Sequence, residues 1–282
     1  MWPEVAPDRP RNVDSAKPGT CTDRDVPAQS GMEVATVERN DPLIAELVAG
    51  KYRVLWPVAR GGMARLYEVE HVGIGRRFAM KVMHPHLFER PILRSRFERE
   101  ARAAARTKSP WVVDVIDLVE LSDGRPAIIS EWLDGEDLEA RLAREETIPL
   151  PEAIAIALDV CHGLAVAHGA GVIHRDLKPA NVFLNADARP IRAKILDFGV
   201  AKVDAASGAN GLSEAAPLTQ AGSILGTPAY MAPEQARGAE DVDARADVYG
   251  VGALLYRMRT GIPPHPLGDP GATLQRVLRD EP

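Results

Sequence analysis

From Tyr52 onward, apolar and polar residues change places in short runs. The segments YRVLWPVA, ARLYEVEHV and RRFAMKVMHP are rich in Val, Leu, Tyr and Phe and are separated by Gly61-Gly62 and by Gly73 and Gly75, so they read as three antiparallel strands. In ILRSRFEREARAAARTK the period lengthens: Ile92, Leu93, Phe97, Ala101 and Ala104 recur at helical spacing with charges between them, which predicts an amphipathic helix. WVVDVIDLVEL and PAIISEWL predict two further strands, joined by a turn at Ser122-Asp123-Gly124. Five antiparallel strands and one helix make a small first lobe over about 51–133. Beyond Asp134 the pattern turns helical. PLPEAIAIALDVCHGLAVAHGAG carries Ala and Leu at a 3.6-residue period and ends in glycines, as a helix C-terminus does. VIHRDLKPANVFLN and AKILDFGVAK read as loop and strand, Ala205 to Gly226 as a mobile loop, and DARADVYGVGALLYRMRTG as a long apolar helix. The expected class is α+β with two lobes, the second mainly α and covering about 134–282.

Residues 1–50 carry Pro, Asp, Arg, Ser and Thr without a sustained apolar period, and a flexible tail is expected there because so little apolar surface cannot offset ordering entropy. Met32, inside it, is a second candidate translation start. The 282 residues, 45% hydrophobic and 26% charged, suffice for a sizeable core. A net charge of −6 with no Lys/Arg block argues against nucleic acid or an anionic membrane as main partner. Cys21 and Cys161 are too few and too distant for a disulfide framework or a zinc site, and the seven histidines form no metal pattern; His84 and His86 are expected to be exposed. A reducing, cytoplasmic location is expected, with no signal peptide or membrane segment in this chain; an anchor in a longer gene product is left open.

Candidate chemistry concentrates in three segments. VIHRDLKPANVFL places His174, Arg175, Asp176, Lys178 and Asn181 in one loop. KILDFGVAK puts Asp197 sixteen residues past Asn181, and FAMK puts Lys81 on a predicted strand ahead of Glu100 on the following helix. In this order along the chain the segments resemble the catalytic domain of the eukaryotic-like serine/threonine protein kinases of bacteria. Phosphoryl transfer needs a carboxylate at the attacking hydroxyl, a cation near the γ-phosphate and oxygen ligands for a metal. The resemblance assigns these to Asp176, Lys178, and Asn181 with Asp197, and it implies ATP and Mg2+ (or Mn2+) as nucleotide and metal. It makes Glu100 the ion-pair partner of Lys81 beneath the phosphates.

Where the family has G-x-G-x-x-G, this chain reads ARGGMA over residues 59–64. Gly61 and Gly62 are expected to bring backbone N–H groups to the phosphates, and Ala59 and Ala64 to stiffen the loop and weaken nucleotide affinity without abolishing activity. The resemblance also implies that Glu131 and Leu133 meet the adenine through backbone groups, that Val58, Leu66 and Ala79 cover it and that Phe183 lies beneath. The small Ser130 guards the space behind the base, so bulky purine analogues should be tolerated.

Lys178 and the segment GTPAYMAPE, with Thr227, select serine and threonine hydroxyls over tyrosine by the same resemblance. Arg175, directly before Asp176, is expected to pair with a phosphate on Thr219 or Ser223. The implied partners are protein substrates and, for autophosphorylation in trans, a second copy of the chain. The resemblance runs from about Tyr52 to Pro282, whereas the family's second lobe continues for several more helices, one of which carries an arginine that pairs with the carboxylate matched by Glu234. The competing readings are a nucleotide-binding scaffold without activity, against which Lys81, Asp176 and Asp197 are all retained, and a small-molecule kinase of related fold, against which GTPAYMAPE stands.

Overall fold

The computed structural model describes residues 33–34, 41–186, 192–197, 228–239 and 242–279. The first lobe is built on β3 (Tyr52–Arg60), β4 (Ala64–His71), β5 (Arg76–Met83), β6 (Val115–Glu120) and β7 (Pro126–Glu131), antiparallel in the order β3-β4-β5-β7-β6. These are the five expected strands. The sheet gains two more from the segment expected to be a tail: β1 (Glu33–Val34) pairs with the Ala59–Arg60 end of β3, and β2 (Leu47–Val48) with its Tyr52–Arg53 end. A second addition is the short α1 (Pro85–Phe88) ahead of the predicted helix, α2 (Pro91–Arg106).

Alternation along β5 decides what reaches the cleft, because successive side chains of a strand point to opposite faces. Phe78, Met80 and Val82 join the core on one face of the sheet, together with Leu43, Val48, Tyr52, Val54 and Val69. Ala79, Lys81 and Met83 therefore take the other face, where Met83 packs on Phe97 and Ala101 of α2.

The tail boundary at residue 50 is thus corrected: residues 41–50 belong to the lobe. Leu43 and Val48 are buried in its core. Asp41 accepts from the Leu43 N–H (2.9 Å) and the Tyr67 hydroxyl (2.9 Å) and pairs with Arg65 at 2.6 Å. DPLIAELVAG is too short and too evenly apolar to show a period, yet its Leu43 and Val48 bury against one face of the sheet.

The second lobe opens with β8 (Gly135–Asp137), which forms a small sheet with β9 (Val182–Asn185) and β10 (Arg192–Ile195) in the order β10-β9-β8. Helix α3 (Leu138–Glu145) starts on an Asp137 cap that accepts the Ala140 N–H at 2.8 Å. Then follow α4 (Leu150–Gly169), α5 (Pro233–Ala236), α6 (Arg245–Thr260) and α7 (Pro270–Arg279). Helix α4 is long and apolar enough to cross a membrane by length and composition, but Ala153, Ile156, Val160, Leu164 and Ala167 belong to the lobe core with Leu254 and Met258 of α6. Gly163 lets α4 lie directly on β10, since a Cβ there would sit 2.9 Å from the Ile195 side chain and 3.0 Å from the Trp111 carbonyl.

Removing the Asp41 carboxylate leaves the largely buried Arg65 guanidinium without that partner. Asp41→Ala is expected to lower stability by about 3–5 kcal/mol in urea unfolding; a change below about 1 kcal/mol would put residues 41–50 back outside the folded unit.

Candidate active site

Four separated segments meet between the lobes. From β5, the Lys81 ammonium lies 2.9 Å from Glu100 Oε1 of α2 and 2.8 Å from Asp197 Oδ2 just beyond β10. Burial pushes the lysine pKa down, but Asp197 and then Glu100 outweigh it, so the ammonium is held above the ordinary lysine range. Burial pushes the Glu100 carboxyl up to about 7; Lys81 opposes the shift and Asp197 adds to it. The cation therefore sits between two carboxylates that both need it.

The loop of residues 174–181 is fixed by backbone hydrogen bonds rather than by its own charges. Asp247, near the start of α6 and buried to 1% exposure, accepts the His174 N–H on Oδ2 and the Arg175 N–H on Oδ1, each at 2.8 Å. His168 Nε2 lies 2.7 Å from the same Oδ2. Arg175 is held with φ +63, a left-handed conformation that a non-glycine residue keeps only under such constraint. Its guanidinium donates to the Val242 carbonyl and its carbonyl accepts from Gln235 Nε2, both at 2.8 Å. His174, fully buried, accepts the Asp176 N–H on Nδ1 at 3.2 Å. Gly250 lets α6 come close beneath, because a Cβ there would meet Leu177 at 3.0 Å.

Asn181 Nδ2 donates to the Asp176 carbonyl at 2.8 Å and lies 3.4 Å from its Oδ2, while Lys178 Nζ stands 3.5 Å from that same oxygen. The Leu196 N–H donates to the Asn181 carbonyl at 3.0 Å, which ties the residue before Asp197 to the loop. With Nδ2 engaged, Asn181 presents its amide oxygen, and Asp197 presents a carboxylate that is 42% exposed. Two oxygen donors of this kind fit a hard divalent cation that takes its other ligands from phosphate and water.

The cleft above is lined by Leu66, Ala79, Glu131, Leu133 and Leu196, with Ala101, Ala104 and Ser130 at its back. Val58 packs with Leu66 and Ala79, and Phe183 is fully buried against Leu133, Val113 and Leu196, so both support the wall without lining it. The Glu131 N–H donates to the Asp114 carbonyl (3.0 Å), and its carboxylate accepts from Lys194 Nζ at 2.5 Å and from the Asp114 N–H at 2.9 Å. A role for its backbone toward adenine narrows to its carbonyl.

The ARGGMA hairpin differs from expectation. The Gly61 N–H is taken by the Ala64 carbonyl at 2.9 Å, which leaves Gly62, with open space where a Cβ would be, as the more accessible glycine. His84 is buried rather than exposed. Its Nε2 lies 2.7 Å from the Gly61 carbonyl and its own N–H donates to the Met63 carbonyl, so it braces the hairpin on both sides. Burial lowers its pKa, which favours the neutral ring with the proton on Nε2. His84, Asp247 and Gln235 were not singled out in the sequence as site residues; for Asp247 the one signal is an acid in the first turn of a mostly apolar helix. Thr219, Ser223 and Thr227 lie outside the described residues.

Residues 52–280 match the family model described as "Protein kinase domain". The chain is 36% identical to serine/threonine-protein kinase pkn3 and 40% identical to Pkn1, both of Myxococcus xanthus, over 86% of its length, and spans 43% and 33% of theirs. It is also similar to the crystal structure of the Mycobacterium tuberculosis PknI kinase domain, with a TM-score of 0.61 and 31% identity over 84% of this chain and 87% of that one.

Ser130, Ala101 and Ala104 leave room at the back of the cleft that a long side chain would fill. Ser130→Met is expected to weaken inhibition by bulky N6-substituted purine analogues by about tenfold or more while leaving the Michaelis constant for ATP within about threefold. Equal inhibition of both proteins would contradict this.

Proposed function

The chain belongs to the protein kinase domain family, and from that premise we propose that it transfers the γ-phosphoryl group of ATP to serine and threonine hydroxyls of protein substrates. The observation that carries this reading is the convergence of Lys81 and Glu100 with Asp176, Lys178, Asn181 and Asp197 through the ion pairs and hydrogen bonds of one cleft.

The roles are those that the family resemblance implies, and the geometry supports them. Asp176 takes the hydroxyl proton as the hydroxyl oxygen bonds to the γ-phosphorus; the bond from that phosphorus to the β–γ bridging oxygen breaks, and ADP leaves with its electron pair. Lys178, beside Asp176, offsets charge growing on the transferred group. Lys81, oriented by Glu100, holds the nucleotide phosphates. Asn181 and Asp197 would hold Mg2+ or Mn2+, which when bound neutralises the β- and γ-phosphates. Consumption of ATP supports a cytoplasmic location for this domain. Phosphorylation of Thr219 or Ser223 by a second copy, with Arg175 receiving the phosphate, belongs to the same proposal.

With labelled ATP, a divalent metal and a generic protein substrate, label is expected on protein, and Asp176→Asn is expected to reduce it by about 100-fold or more. Labelling that survives the substitution, or fails in the native chain, would overturn the reading.

The Lys81–Glu100 pair sets the pH dependence. As pH falls through about 7, Glu100 protonates and Lys81 loses that partner. kcat/KM for ATP should fall correspondingly on the acid side. The stability term has the opposite sign: the folded carboxyl binds its proton more tightly than an unfolded one near 4.5, so this group opposes folding as pH rises toward and past 7. Glu100→Gln is expected to lower kcat/KM and to remove the acid limb; an unaltered limb would assign it to another group.

A further inference from the structure

The ARGGMA hairpin is not closed by its charges. Across its last rung Arg60 faces Arg65, and like charges directly opposite repel, with Arg65 turning to Asp41 at 2.6 Å. The alanines at either end are anchored instead. Ala59 is buried with Val58, Leu66 and Ala79, and Ala64 with Met83, Phe97 and Ala101, so the methyl groups that stand where the family has glycine tie both arms of the hairpin to the lobe core. Between the arms lie Gly61, Gly62 and Met63, and one residue holds them from both sides. His84 Nε2 lies 2.7 Å from the Gly61 carbonyl oxygen, and the His84 N–H donates to the Met63 carbonyl at 3.1 Å. The His86 ring stacks on the His84 ring, with centroids 5.6 Å and planes 14° apart, and steadies it.

Backbone geometry turns these bonds into a direction. In a trans peptide the C=O and N–H point opposite ways, so a Gly61 carbonyl turned to His84 turns the Gly62 N–H away from it. His84 directly follows β5 and is itself extended (φ −65, ψ 142), so the alternation of the strand carries through it: Lys81 and Met83 take the cleft face, Val82 and His84 the other. The imidazole therefore holds the Gly61 carbonyl from the face opposite Lys81, and the Gly62 N–H is left toward the Lys81 side. Gly62 is open to approach, since a Cβ there would meet nothing within 4 Å.

We propose that His84 is a positioning residue for the nucleotide: through the Gly61 carbonyl it aims the Gly62 N–H at the phosphates of ATP. This rests on the kinase reading above. A hairpin set in advance loses little freedom when the nucleotide arrives, so the buried methyl groups of Ala59 and Ala64, expected from the sequence to weaken affinity, work together with the histidine to preorganise the site. His84 does not line the cleft, so its influence reaches the phosphates through the hairpin and leaves the adenine wall alone.

The test compares His84→Met with His84→Gln on the full chain. The two side chains are of similar length, and only the glutamine can donate to the Gly61 carbonyl. Dissociation constants are measured by titration calorimetry for a non-hydrolysable ATP analogue with magnesium and for adenosine, which has no phosphate. Expected is a loss of about tenfold for the ATP analogue in His84→Met and of at most about threefold in His84→Gln, with adenosine binding unchanged in both. In turnover, His84→Met should raise the Michaelis constant for ATP by about the same factor and leave kcat within about twofold. The proposal is overturned if the two variants bind the ATP analogue alike, or if adenosine weakens by the same factor as the analogue, which is the mark of a lobe that has merely loosened. A native chain that binds the ATP analogue no better than adenosine would overturn the kinase reading itself, so the two failures are distinguishable.

Discussion

The Asp247 carboxylate is the constraint on which the geometry of the site depends. A buried carboxylate is costly unless donors surround it, and here the donors are the two backbone N–H groups of His174 and Arg175 together with the His168 ring. Satisfying Asp247 therefore fixes the direction of the chain as it enters the loop of residues 174–181, including the left-handed turn at Arg175. From there the hydrogen bonds run outward: His174 to the Asp176 N–H, Asn181 to the Asp176 carbonyl, and the Leu196 N–H to the Asn181 carbonyl. Helix α6 is the rigid base of this chain, held by Leu254 and Met258 in the lobe core.

The other half of the site hangs on Lys81. Strand alternation aims it into the cleft, and α2 supplies Glu100 to meet it. A lysine between two carboxylates with one pushed toward neutrality is a poor device for stability, since each ion loses hydration that the pair only partly restores. It is a good device for holding a cation in place within a cleft. Because α2 also carries Arg99, Arg102 and Arg106, one helix lines clefts on both of its sides.

Much of this was legible in the sequence. The five long strands and the helices α2, α4 and α6 follow from periods of two and 3.6 residues, because each has one buried face, and short motifs single out Lys81 on β5 and Asp176, Asn181 and Asp197 in loops. What escaped reading shares one property: its meaning lies in a partner distant in sequence. Asp247 meets His174 across 73 residues, and His84 meets Gly61 across 23. Leu43 and Val48 bury without a periodic context, so their segment looked like tail. Gly61 kept its residue type but not its expected free N–H, because that group closes the hairpin.

The most direct test of the central claim, that the loop is positioned from α6 through Asp247, is the kinetics of Asp247→Asn. The amide keeps the size of the carboxylate but turns one acceptor into a donor facing a donor. The account predicts a fall in kcat of about 10- to 100-fold, with the Michaelis constant for ATP within about threefold and the far-UV spectrum unchanged. A variant with native kcat would contradict it.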